Sequence, residues 1–141
     1  KLEDGIFESL SNGRSKLWPE QFLMAPNVGA DLSMVWPKFA IWLLVDPKYG
    51  VIQFNKSAAG KKAIQDVADA YQLVVDGNAQ SVNWSSLRSA AAAYAAAYAA
   101  AYAYAAYAYA AAYAAADDDA KRQEWRNAQA DKLIELMAAA K

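Results

Sequence analysis

The densest set of side chains able to do chemistry is Asp117-Asp118-Asp119. Adjacent carboxylates are what a hard divalent cation or a basic protein surface would meet. On a helix, however, consecutive residues point about 100° apart, so the three cannot converge on one ion. The triplet reads as a solvated helix section, or as a source of electrostatic steering toward a basic partner. Glu3, Asp4 and Glu8 have no partner spacing of the kind that glycoside hydrolysis needs. The 141 residues include no His and no Cys. The usual neutral-pH base is therefore missing, Ser–His and Cys–His nucleophile pairs cannot be built, and a zinc site would rest on carboxylates alone. Gly60-Lys61-Lys62 resembles the end of a phosphate loop, but Asn55 stands where its first Gly belongs and Lys62 where its Ser or Thr belongs. Nothing points to an enzyme, a metal or a cofactor.

The remaining candidates are tyrosines. Ser89 to Ala116 contains one Ser, seven Tyr and twenty Ala, with no charge, Gly or Pro. Ala is the strongest helix former, so this tract is expected to be helical, and its side-chain information lies in where the tyrosines fall. With Tyr94 at zero on a helical wheel, Tyr98, Tyr102, Tyr109 and Tyr113 fall within about 100° of it. Trp84 and Leu87 join that stripe from upstream. Tyr104 and Tyr107 fall at about 280° and 220°, on the other side. An aromatic stripe at helical spacing is usually core. Tyr also brings large contact area with few rotors and a polar tip, which suits an interface. Both readings can hold: the main stripe as core, the opposite tyrosines toward a partner. The expected contact residues are Tyr104, Tyr107, Tyr109, Tyr113, Asp117, Asp118 and Asp119.

Other function classes have less support. A net charge of −1 and a pI near 5.4 give no electrostatic footprint for nucleic acid. A membrane span is not expected, because tyrosine belongs at headgroup depth and this tract spreads it throughout. No signal-peptide pattern is present, and with no Cys there is no disulfide framework, so the expected location is the cytoplasm. The chain opens at Lys1 rather than Met, which reads as a short N-terminal piece removed or not shown. Asn83-Trp84-Ser85 matches a glycosylation sequon and is taken as chance.

The elements that must position these residues are all helical. Residues 1–15 read as polar, with a turn at Ser11-Asn12-Gly13. A short helix is expected over 18–24, with Pro19 in its first turn. After a Pro26/Gly29 loop, the apolar run Phe39 to Val45 reads as a buried helix starting near Pro37 and stopped by Asp46-Pro47, although so short a run could also be a strand. Tyr49 to Phe54 is the one β-looking run. Ser57 is expected to cap a helix from Ala58 to about Val75, with Ile64, Val67, Ala68, Tyr71 and Val75 on its core face and Asp76-Gly77 ending it. Asn83 is expected to cap the next helix. If that helix ran unbroken to the C-terminal segment, it would span about 55 residues and roughly 80 Å, far beyond a compact body of about 35 Å. It must then either fold back near the Asp triplet or project toward another chain. The i,i+4 pairs Asp117→Lys121 and Asp118→Arg122 favour continuation.

Lys62 to Tyr71 together with Val75 to Ala79, and Leu87-Arg88-Ser89-Ala90 leading into Ala-Ala-Ala-Tyr repeats and ending in Gln129 to Leu136, resemble alanine- and aromatic-rich proteins of phages and bacteria classed as immunity proteins of the immunity-protein-5-like type. Phe39-Ala40-Ile41-Trp42 followed by Asp46-Pro47 fits the same pattern. The resemblance covers residues 36–137. It implies inhibition of a cognate toxin by binding or, in a phage, blocking of a host defence complex.

The expected fold is all-α: an N-terminal helical cluster (1–82) on a long Ala/Tyr helix with a C-terminal helical segment (83–141), one structural domain overall, with a kink possible near Asp117. The expected function is non-enzymatic occlusion of a protein partner. The alternative is self-association through the Ala faces, building a dimer or an assembly component.

Overall fold

The computed structural model describes residue 6, residues 10–87, residue 89 and residues 119–141, with the side chains of 119–122 left aside. The fold is all-α. Among the described residues the delimited α-helices are α1 (Asn12–Met24), α2 (Val35–Val45), α3 (Ala58–Val75) and α4 (Asp119–Ala138), with 3-10 turns at Val51–Phe54 and Ala79–Ser81; residues 84–87 are also helical.

The apolar run that suggested a buried helix forms α2. Val35, Pro37, Phe39 and Ala40 are buried, and α2 packs against both α3 and α4. It starts two residues earlier than expected, at Val35, so Pro37 sits third in the helix. Its missing N–H is still harmless there, because first-turn amides have no intrahelical acceptor. The core lies between α1, α2 and α4: Trp18, Val35, Phe39, Ala130, Leu133 and Met137 are joined by Ile6 and Leu10. Ala130 is fully buried, and its small side chain lets α4 approach closely. The polar reading of residues 1–15 thus missed two core residues, although Ile6 and Leu10 stand four apart, the spacing of one helix face.

Two further expectations are corrected. Helix α1 begins at Asn12, not near Trp18, so the expected turn is the helix entrance and Pro19 lies inside the helix. An interior proline costs about 3 kcal/mol through a lost hydrogen bond and a clash. Tertiary burial offsets it. Trp18 is buried, its ring lies 5.6 Å from Phe22 one turn on, and Arg14 on the same face pairs with Asp131 of α4. The β-looking run is not a strand: Val51–Phe54 is a 3-10 turn, and no strand occurs among the described residues. A lone run has no neighbour to complete its ladder, and the preceding turn dictates its direction.

Helix α3 follows its sequence signals. Ser57 caps it by accepting the Gly60 N–H at 2.9 Å. At its other end Gly77 takes φ +80, its N–H meets the Val74 carbonyl, and the Asn78 N–H meets the Leu73 carbonyl, the paired bonds of a glycine-terminated helix. Of the expected core face, Ala68 is buried, while Ile64, Val67, Tyr71 and Val75 are half-buried. The reason is position: α3 flanks α2 and contributes nothing to the main cluster. Asn83 caps the turn at 84–87 through Ser86 N–H at 2.9 Å, and Trp84 packs 5.2 Å from Tyr71.

Candidate functional site

Tyr104, Tyr107, Tyr109, Tyr113, Asp117 and Asp118 lie outside the described residues, as do the rest of the tyrosine stripe and the continuity of the long helix. Asp119 is the first residue of α4.

The described residues bring together a different set of functional groups. It begins at Asp46, the C-cap of α2. Its Oδ1 accepts the N–H of Lys48 at 2.9 Å and of Tyr49 at 2.8 Å, folding the chain back on itself. Gly50 closes the turn by donating its N–H to the Asp46 carbonyl at 2.8 Å. A Cβ on Gly50 would collide with the Asp46 backbone, so this close approach requires glycine. The Gln53 side chain also donates to the Lys48 carbonyl. The turn is therefore braced from three directions.

The brace aims Tyr49 at α4. Rings form a continuous path: Phe39 lies 5.9 Å from Trp42 and nearly parallel to it, Trp42 5.7 Å from Tyr49, Tyr49 6.1 Å edge-on from Trp125, and Trp125 5.0 Å from Phe54. The path runs from the buried Phe39 to the surface, where Phe54 is 50% exposed. Such tilted and edge-on contacts are the favoured aromatic geometries.

A charged clamp sits beside the rings. Lys48 Nζ donates to Glu124 Oε1 at 2.7 Å, the Tyr49 hydroxyl donates to the same oxygen at 3.0 Å, and Lys48 Nζ lies 4.7 Å from the centre of the Tyr49 ring. The hydrogen bond to Glu124, then that to Tyr49, raises the Lys48 pKa above its ordinary value. Both ends are largely exposed, so water and salt screen the pair and its contribution to stability is small.

Compared with protein-family models, with curated proteins and with solved structures, the chain matches none of them.

Elsewhere, two open grooves mark the described surface. One, between α1 and α4, is lined by Arg14, Gln21, Met24, Asp131, Ile134 and Glu135. The other lies between α3 and the 81–87 segment. Asp66 and Asp69 pair along α3 with Lys62 and Gln65. No group of three or more metal-ligating side chains occurs among the described residues, nor does a helix long and apolar enough to cross a membrane.

Sequence reasoning missed the ring-and-clamp cluster. Asp46-Pro47 was legible as a helix stop and Tyr49 to Phe54 as a β-looking run, but Glu124 lies 75 positions beyond Tyr49. No local spacing reports that pairing.

Proposed function

We propose that this chain is a non-enzymatic binding protein that works by covering a surface of a protein partner. The resemblance to immunity proteins makes that partner a toxin or a defence effector, met in the bacterial cytoplasm. The observation carrying this reading is the amount of large apolar side chain held in the open on a helical body: Leu23 and Met24 are each 75% exposed, with Leu17, Phe54 and Trp36 about half exposed. Large exposed apolar residues grouped together mark contact surfaces. Leu17 and Met24 stand at i and i+7 on α1, with Gln21 between them, so these two share one helix face. The groove beside it, between α1 and α4, is open, which suits a protein surface better than a small substrate. The absence of His and Cys removes the commonest catalytic groups.

The test is reconstitution. A partner identified by crosslinking in the host should form a complex of fixed stoichiometry with the purified chain and lose its activity in that complex. Met24→Glu should weaken binding at least about tenfold if that α1 face is contacted. A complex with no effect on the partner's activity would contradict occlusion.

The Ala-rich tract favours a second reading, self-association, because alanine lets helices approach closely. Ala100→Glu and Ala106→Glu discriminate. Under self-association either charge reduces the assembled mass, and under the binding reading neither changes it.

A further inference from the structure

We propose that Tyr49, Phe54, Trp125 and Glu124 form a binding site for a basic side chain of a protein partner, and that Lys48 is its built-in occupant. The proposal rests on the reading above, that the partner is a protein. The two features that recognise a cation on an apolar stem are a carboxylate and an aromatic face. Both are present, and both are in use: the Lys48 ammonium lies 2.7 Å from Glu124 Oε1 and 4.7 Å from the Tyr49 ring centre. The resident lysine thus identifies the chemistry that the site accepts.

The frame and the occupant are held differently. Asp46, Gly50 and Gln53 brace the turn, and Trp42 and Trp125 both pack against the Tyr49 ring. The Lys48 side chain, by contrast, is 66% exposed and reaches Glu124 on a flexible four-carbon stem. It can leave without disturbing the rings. Phe54, half-exposed and 5.0 Å from Trp125, offers an apolar floor for the stem of an incoming side chain. Arginine fits best, since its planar guanidinium is weakly hydrated and stacks on aromatic faces.

The experiment follows the Trp125 indole N–H of the full chain in proton–nitrogen correlation spectra, assigned with Trp125→Phe. The probe is the tripeptide amide Gly-Arg-Gly, with Gly-Gln-Gly as the neutral control. The signal should move with the arginine peptide alone. Lys48→Met should tighten binding about threefold by removing the internal competitor. Glu124→Gln should abolish the response while the other amide signals keep their positions. Equal responses to both peptides, or a Lys48→Met chain that binds no better, would overturn the proposal. So would a response to phosphatidylcholine vesicles but not to the peptide, which would make the site one for lipid headgroups. Failure here with a partner complex intact sinks only the cation site. A positive peptide titration without any protein partner sinks the occlusion reading instead.

Discussion

At the residue scale, the molecule depends on a few positions where only one side chain fits. Gly50 is the clearest, because its hydrogen pocket is the backbone of Asp46. Gly50→Ala should lower stability by about 1–3 kcal/mol, read as a lower denaturant midpoint. It should also shift the Tyr49 and Trp125 ring signals, because the turn that aims them is displaced. An unchanged midpoint would mean that the turn relaxes freely. Lys48 gives a pH prediction with a definite sign. Its pKa is raised in the folded state, so its contribution is complete below the ordinary value of 10.5 and fades as pH rises through the folded value. The alkaline limb of a stability–pH profile should therefore be shallower in Lys48→Met than in the parent chain. Identical limbs would show that the clamp contributes nothing measurable.

At the element scale, capping chemistry and apolar periodicity were readable directly, and they placed α2, α3 and the turn at 84–87. Ser57 and Gly77 sit at the ends expected of them because each satisfies orphan backbone groups by a local mechanism. Ser57→Ala should accordingly cost about 1 kcal/mol, measured by chemical denaturation. What local pattern could not supply was decided by distant partners. Pro19 argued for a helix start, yet Trp18 and Phe22 bury α1 across it. Tyr49 to Phe54 has strand-like residues, yet Asp46 turns the chain and Trp125 receives Phe54. Ile6 and Leu10 join the core from a stretch read as polar, although they stand four residues apart, the spacing of one helix face. The candidate cluster was hidden for the same reason: its two halves meet only when α4 docks on α2.

At the scale of the whole molecule, one cluster ties chain segments far apart in sequence. Phe39 of α2 and Leu133 of α4 are both buried in it. Truncating either to Ala should destabilise the fold by about 3–5 kcal/mol, a large share of the roughly 5–15 kcal/mol available to a domain. Trp125 fluorescence should then report loss of the α2–α4 contact together with global unfolding. A small, local effect would mean that α4 docks independently of the rest. The proposed function draws on the surface left outside this core, where large apolar residues are exposed, as contact surfaces with another protein or another copy of the chain are.

Light scattering across a wide range of protein concentration, with and without a purified partner, separates these two fates most directly. The occlusion account predicts a constant monomer mass for the chain alone and a complex of fixed stoichiometry once the partner is added. A mass that climbs with concentration, and falls back in Ala100→Glu or Ala106→Glu, would contradict it and make the chain an assembly component.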